Sequence, residues 1–241
     1  MYQLTINAAL AYVRKAMDEL MSVEEKDMLT SPDALDLQKL VEASIVEAAV
    51  RTHALAPAIM LDGEIATLGT DYNVTVTGDG VASIVFLTKT ARVISLQASD
   101  SGIVVSSMVP EDSAEGRKQL NKYVRGVPDD PRVVLEKVWA GDHKPNLKYY
   151  TTATDGTATF TIEHYPYPAI TGGTTEVVPE GGEVMPIDMS LNPGATEEHI
   201  EICPRMKYAV LNELTAMILE SLNEHERASL YRTKAKEYMG G

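Results

Sequence analysis

The sequence predicts an α+β fold, in which helices near both ends form a bundle and the middle of the chain forms an antiparallel β-rich domain. Apolar residues recur at helical spacing near both ends. From about residue 64 the period changes to the alternation typical of strands, with turn residues at short intervals. A long Pro/Gly-rich segment follows these strands. We therefore predict a helical docking domain (1–60 with 204–241), a β-rich domain (61–165) and an extended acidic arm (166–203).

Two amphipathic helices are predicted at the N-terminus. Asn7 can cap the first helix, whose apolar and charged positions fall on opposite sides. Ser31 followed by Pro32 is typical of a helix start, and Pro57 ends the second helix. The buried stripe of this second helix is predicted from residues at helical spacing: Leu37, Leu40, Val41, Ile45, Ala48 and Ala49.

Short alternating segments in the middle of the chain predict a meander of β-hairpins. Turn-forming "GDG", "TKT" and "ASDSG" separate the segments "NVTVT", "VASIVFL", "ARVISLQ" and "GIVVSSM". A short helix is predicted at "EDSAEGRKQLNKYV". Strands then resume at "RVVLEKVW", "LKYYTTA" and "TATFTIEHY", the last two joined by a "TDG" turn. This region is therefore predicted to be an antiparallel sheet, barrel or sandwich.

The segment 166–194 contains five of the 12 prolines and five of the 16 glycines of the chain. It cannot hold a helix, and so long a structureless stretch is uncommon inside a compact domain. It is either a loop packed over its own sheet or an extended arm that pairs with a neighbouring subunit. In the second case the side chains that contact the neighbour are Ile170, Val177, Val178, Met185, Ile187, Met189 and Leu191.

A closing helical hairpin is predicted from Pro204 onwards. Its first helix carries the apolar stripe Met206, Val210, Leu214, Met217 and Ile218. Asn223 is predicted to cap the second helix, with Glu226 completing a capping box. Neither helix is long enough to be stable alone, so both must pack against other elements, of this chain or of a partner.

The charge distribution argues against tight nucleic-acid binding. The net charge is −14, and the stretch from Tyr149 to Pro204 holds nine acidic residues and no Lys or Arg. A protein that grips a phosphate backbone needs the opposite balance. The acidic stretch is therefore a solubilising surface, a face for a basic partner, or the lining of a passage through which DNA slides.

No catalytic, metal or cofactor site is predicted. The five histidines are far apart and lack ligand spacing, and Cys203 has no CxxC partner. We therefore expect a protein that is not an enzyme and has no cofactor. The N-terminus lacks a signal peptide and no apolar run is long enough for a membrane span, so folding in a cytoplasm is expected. The chain has 11 Tyr and 11 Met but only two Phe. This composition favours a protein that acts through contacts with partners.

The order of these segments resembles the ring proteins, or head-to-tail adaptors, of crAss-like phages, and more distantly the adaptors of short-tailed phages. The resemblance covers most of the chain and depends on "IVEAAVRTHALAPAIML", "RKQLNKYVRGVPDDPRVV" and "CPRMKYAVLNELTAMILESLNEHERASLYRTKAKEYM" rather than on an invariant motif. It implies a structural protein of the virion neck, assembled in the bacterial host cytoplasm. Such proteins form a homo-oligomeric ring, commonly of twelve copies, that joins capsid to tail below the portal and extends the DNA channel.

The resemblance also implies partners and contact residues. The partners are the portal protein, adjacent ring or tail proteins, and double-stranded DNA that passes without specific binding. The closing hairpin would dock on the portal or on another subunit through Leu214, Met217, Ile218, Tyr231 and Tyr238. The residues expected to face the channel are Glu180, Glu183, Glu197 and Glu198.

Two other functions remain open from the sequence. One is a binding module on the virion exterior, for a glycan or a decoration protein, around Trp139 with Tyr149 or Tyr150. The other is a hydrolase that uses an acidic pair with a histidine such as His164, although nothing in the sequence specifies this chemistry.

Overall fold

The computed structural model describes residues 1–20, 37–77, 80–99, 101–127, 129–136, 142–150, 159–172 and 197–240. Within them the chain is a mixed α+β protein with five helices and mostly antiparallel strand pairs, which confirms the predicted class. The chain forms two compact units. The helical unit comprises Met1–Leu55 and Pro168–Gly241, and the β unit comprises Ala56–Tyr167.

The elements are numbered in chain order. The helical unit contains β1 (Tyr2–Thr5), α1 (Ile6–Leu20), α2 (Leu37–Leu55), β11 (His199–Ile202), α4 (Lys207–Ser221) and α5 (His225–Tyr238). The β unit contains β2 (Glu64–Ile65), β3 (Tyr72–Thr77), β4 (Val81–Phe86), β5 (Thr90–Ala98), β6 (Val104–Val105), β7 (Met108–Pro110), α3 (Ala114–Lys118), β8 (Arg132–Leu135), β9 (Asn146–Tyr150) and β10 (Phe160–Pro166).

The N-terminal strand of the helical unit was not predicted from the sequence. β1 pairs antiparallel with β11, with Leu4 opposite Ile200. Thr5 then starts α1, because its hydroxyl oxygen accepts a 3.2 Å hydrogen bond from the backbone N–H of Ala8. The prediction that Asn7 caps α1 was therefore wrong, since Asn7 already lies inside the helix.

Helix α2 buries the stripe that its sequence predicts. Val41, Ile45, Ala48 and Ala49 are fully buried, and the helix ends at Leu55, two residues before the proline predicted to stop it. The other two predicted stripe residues, Leu37 and Leu40, are half-buried. The predicted start of this helix lies outside the described residues.

His53, on the last turn of α2, joins that helix to the start of the C-terminal hairpin. Its Nδ1 lies 2.7 Å from the carbonyl oxygen of Ala49, so Nδ1 carries the proton and donates. Its Nε2 accepts a 3.3 Å hydrogen bond from the backbone N–H of Cys203. Both side chains are fully buried, so this histidine is part of the core.

Helices α4 and α5 pack against each other, and α4 also contacts α1 and α2. The turn between α4 and α5 differs from the predicted one. Asn223 has a φ of 63° and follows the end of α4, which is the left-handed position at which Asn commonly ends a helix. Glu224 occupies the N-cap position of α5. The predicted capping box of Asn223 with Glu226 was therefore wrong.

The β unit consists of two sheets around one core. Their strand orders are β2-β10-β5-β6 and β3-β4-β9-β8-β7. Both sheets contribute to a single buried cluster, in which the rings of Tyr149 and Phe160 meet edge to face at 5.3 Å. The unit is thus a sandwich of two sheets.

Two parts of the predicted meander differ from the structure. "GIVVSSM" is split between β6 and β7, and β7 pairs in parallel with β8. The predicted helix at "EDSAEGRKQLNKYV" is limited to the five residues of α3, which Ser113 caps by accepting from the N–H of Gly116 at 3.0 Å. The predicted "TDG" turn lies outside the described residues.

Candidate protein-protein interface

The five residues predicted for docking on the closing hairpin differ in exposure. Leu214, Ile218 and Tyr231 are buried inside the helical unit, and Met217 is half-buried. Tyr238 is 49% exposed. The three buried side chains stabilise the hairpin itself and could reach a partner only if the hairpin opened. The interface role of these residues stays a prediction, and Tyr238 is the member that the fold presents to solvent.

Tyr238 belongs to a surface cluster that we call the aromatic strip, made of the exposed Tyr208 and Tyr238 and the half-buried Tyr2 and Lys207. The rings of Tyr208 on α4 and Tyr238 on α5 stack at 5.4 Å, and each residue is 49% exposed. The ammonium of Lys207 lies 4.9 Å from the ring centre of Tyr2 and 5.8 Å from that of Tyr208. A hydrogen bond with Tyr2 raises the pKa of Lys207, which keeps the cation charged. Exposed tyrosines beside a cation are typical of interface anchors.

A groove of about 380 Å³ lies beside this hairpin, lined by Arg51, Thr52, Ala54, Leu55, Glu213, Arg232, Ala235, Lys236 and Met239. Arg232 on α5 pairs with two acidic residues of α4 at the wall of this groove. Its guanidinium forms a two-pronged ion pair with Glu220 and lies 3.5 Å from an oxygen of Glu213. The hydrogen bonds with Glu220 raise the pKa of Arg232. The groove is thus a largely apolar feature bounded by α2 and the hairpin, with these charged groups at its wall. Arg51 adds a second cation 3.8 Å from Glu213.

The β unit exposes a second apolar surface, which we call the basic turn (residues 117–127). Leu120, Tyr123, Val124 and Val127 are exposed, with Tyr123 at 83%. The cations of this stretch are Arg117, Lys118, Lys122 and Arg125, and it contains no acid. The sequence alone predicted no interface role for this stretch. The signal that could have found it is four cations within nine residues of a chain whose net charge is −14.

Side-chain hydrogen bonds and a close backbone contact hold the basic turn in position. The buried side chain of Gln119 accepts a 2.8 Å hydrogen bond from the N–H of Gly126. A Cβ at Gly126 would lie 2.7 Å from the backbone nitrogen of Arg132, so only glycine allows this approach. The side-chain oxygen of Asn121 accepts from the N–H of Tyr123 at 3.0 Å. These bonds fix the backbone of the turn, so its apolar side chains are presented at fixed positions.

Some predicted arm and channel residues lie in the described part of the chain. Ile170 is 37% exposed. Glu197 accepts a hydrogen bond from the side chain of Asn7, and the carbonyl oxygen of Glu198 accepts one from the N–H of Ile6 at 2.9 Å. The remaining predicted residues lie outside the described residues: Val177, Val178, Glu180, Glu183, Met185, Ile187, Met189 and Leu191.

The residues considered for a glycan site or a hydrolase are buried where the structure describes them. Tyr149 is fully buried and donates to the hydroxyl of Ser101 at 2.9 Å, and Tyr150 is 4% exposed. Neither ring can stack on a ligand in this fold. Burial of His164 lowers its pKa, and its Nδ1 lies 3.2 Å from the hydroxyl of Thr90. Its ring is therefore inside the sandwich, whereas Trp139 lies outside the described residues.

The described part of the chain contains neither a membrane-spanning helix nor a cluster of metal ligands. None of its helices combines the length and apolarity that a bilayer span requires. Its His, Cys, Asp and Glu side chains form no group of three or more that could hold a metal ion.

Comparison of the sequence with protein-family models gave no match, and comparison with curated proteins gave none either.

Proposed function

We propose that this chain is a structural protein of a phage virion, which forms a homo-oligomeric ring in the neck, below the portal and next to other ring or tail proteins. In this role it joins capsid to tail and extends the DNA channel. The order of its segments and their residue sequences resemble those of crAss-like phage ring proteins, and this resemblance supports the proposal. The function is mechanical, so the residues that carry it are contact residues.

The observation that carries the proposal is the aromatic strip. Tyr208 and Tyr238 stack on each other while about half of each remains open to solvent. Tyrosines lose little conformational entropy on binding and combine apolar area with a polar hydroxyl, so they are enriched in interface hot spots. Lys207 adds a cation that can pair with an acidic partner or cover a partner's ring. We assign this strip to the contact with the portal.

The finer features of the fold have proposed roles in the ring. The four longer helices would form the docking bundle. The segment 166–203 would act as the arm that lies on a neighbouring subunit, with Ile170 at its start. Pairing of β11 with β1 supports this role, because it fixes the C-terminal end of such an arm to its own helical unit.

Four acidic residues of this arm would face the DNA. Glu197 and Glu198 precede β11, and Glu180 and Glu183 precede them in the sequence. Negative side chains along a channel repel the phosphate backbone, which allows DNA to pass without adhering. Absence of specific DNA binding is thus part of the proposed function.

The experiment that tests this proposal measures binding to the cognate portal protein. The double variant Tyr208→Ala/Tyr238→Ala should bind the portal at least about tenfold more weakly than wild type, since two anchors are lost. Ile59→Ala, a truncation of an 83% exposed residue in the β unit, is the matched control and should bind like wild type. Equal portal binding by wild type and the double variant would show that the aromatic strip is not the portal contact.

A further inference from the structure

The basic turn exposes large apolar side chains close together in the sequence. Leu120, Tyr123 and Val124 are 68%, 83% and 59% exposed within five consecutive residues. Lys122 lies 5.1 Å from the ring centre of Tyr123, so cation and aromatic ring form one surface. Large apolar side chains clustered in this way mark interaction sites more often than single exposed residues do.

The backbone of the turn is already fixed before any partner binds. Gln119 and Asn121 hold it through the hydrogen bonds described above, and Gly126 lies against the backbone of β8. A preformed loop loses little conformational entropy on association, which favours binding. The exposed side chains are therefore suited to act as anchors.

The charges of the turn define the chemistry of its partner. Lys118 lies 3.6 Å from Glu115, and Arg117 donates to the carbonyl oxygen of Asp112. On the other flank, Asp130 pairs with Arg132 at 2.8 Å. Of the flanking acids, Glu115 and Asp130 are thus paired with cations, while residues 117–127 themselves carry only positive charge. An acidic partner that also offers apolar side chains complements this surface.

The chain itself contains a segment with this chemistry. Residues 149–204 hold nine acids and no Lys or Arg, and their central part, 173–196, intersperses four of these acids with apolar residues. We propose that the basic turn of one copy docks on the acidic arm (166–203) of a second copy. The inference rests on the proposed ring function and names the subunit-subunit contact within it.

A contact of this kind has the symmetry that a ring requires. It joins two different surfaces, one in each copy, and is therefore heterologous rather than two-fold. Heterologous contacts repeat from copy to copy and close into a ring when the rotation between copies permits. The aromatic strip remains available for the portal, since it uses none of the residues of this contact.

Carbodiimide cross-linking of mixed isotopic forms tests the contact directly. Full-length chain with natural nitrogen is mixed with chain labelled with nitrogen-15, allowed to assemble, and treated with a carbodiimide that joins lysine to carboxylate. Peptides that join Lys118 or Lys122 of one isotopic form to an acid of residues 166–203 of the other form are expected. Cross-links to this segment only within one isotopic form, or none, would overturn the inference. Cross-links to Glu180 or Glu183 would support it and remove those two residues from the channel.

Charge reversal provides the second measurement. Lys118→Glu/Lys122→Glu should raise the concentration needed for half-assembly about tenfold or more, as judged by mass in solution. Arg14→Glu/Lys15→Glu, an exposed pair on α1, is the matched control and should assemble like wild type. Rings that form equally well with the charge-reversed turn would refute the inference and leave the ring function intact. A wild-type chain that never associates, alone or on the portal, would refute both.

Discussion

The hydroxyl of Tyr72 in β3 donates a 2.7 Å hydrogen bond to the backbone carbonyl oxygen of Phe160 in β10, and thereby joins the two sheets of the β unit. Tyr72 is only 2% exposed, and burial raises its pKa, so the hydroxyl keeps its proton at neutral pH. The ring of Phe160 also meets that of Tyr149, which lies in the same sheet as Tyr72. Phe160 therefore links the two sheets through both its backbone and its ring.

Tyr72→Phe should lower the free energy of unfolding by about 1–3 kcal/mol, because the carbonyl oxygen of Phe160 loses its buried partner. Urea titration followed by circular dichroism measures this change. Tyr123→Phe removes a hydroxyl from an 83% exposed residue and should change stability by less than about 0.5 kcal/mol. Equal effects of the two substitutions would show that the buried bond contributes nothing.

The free energy of unfolding should fall as the pH drops below about 6.5. Burial lowers the pKa of His164, although Asp71 and Glu64 act in the opposite direction. Protonation is therefore easier in the unfolded chain, so the contribution of His164 is complete above its unfolded pKa and is lost as pH falls towards its folded pKa. Unfolding curves at pH 7 and pH 5 test this. In His164→Gln the loss over this interval should be smaller, while His225→Gln, an exposed control, should behave like wild type.

Truncation inside the hairpin should affect folding, whereas truncation on its surface should not. Leu214→Ala is expected to cost about 2–5 kcal/mol, because Leu214 is fully buried and its removal leaves a cavity. Leu214→Asp or Ile218→Asp should prevent folding of the helical unit. Tyr238→Ala should leave the thermal midpoint close to that of wild type. A severe loss of stability in Tyr238→Ala would mean that this residue serves the core instead of a partner.

Arg232→Ala should lower stability more than Lys234→Ala. Arg232 pairs with both oxygens of Glu220 and lies near the largely buried Glu213, so its loss leaves two carboxylates less well paired. We expect a difference of about 1 kcal/mol, since two-pronged arginine pairs exceed the usual surface ion pair. Chemical denaturation of the two variants side by side measures it. No difference between them would place Arg232 among the ordinary surface cations.

Neutralising the proposed channel acids should slow DNA release. Virions assembled with Glu180→Gln, Glu183→Gln, Glu197→Gln and Glu198→Gln together would repel the phosphate backbone less, so ejection should take longer. Dye-monitored ejection kinetics measure this, with Glu226→Gln on α5 as the control. Unchanged kinetics in the fourfold variant would remove the channel role of these acids.

The regular parts of the fold were predictable from the sequence. β3, β4 and β5 were identified because their side chains alternate over six to nine residues. The buried stripe of α2 followed from its helical spacing. In contrast, β1 and β11 have four residues each and pair with each other almost 200 positions apart in the chain. A strand of four residues is too short to show a clear alternation in the sequence, and the pairing depends on tertiary structure.

The candidate interface was only partly predictable for a similar reason. An apolar stripe shows that one face of a helix is buried, but it does not show whether the chain or a partner buries it. Leu214 and Ile218 have the same pattern as interface residues, yet they pack within the helical unit. The exposure of Tyr123 depends on the fixed turn around Gly126, which sequence spacing does not specify.

The mass of the assembled protein tests the central proposal most directly. Native mass spectrometry and negative-stain imaging of the full chain, alone and with the cognate portal, would measure copy number and shape. The account predicts closed rings, or a ring of this chain on the portal. A chain that stays monomeric at all concentrations and does not bind the portal would contradict it.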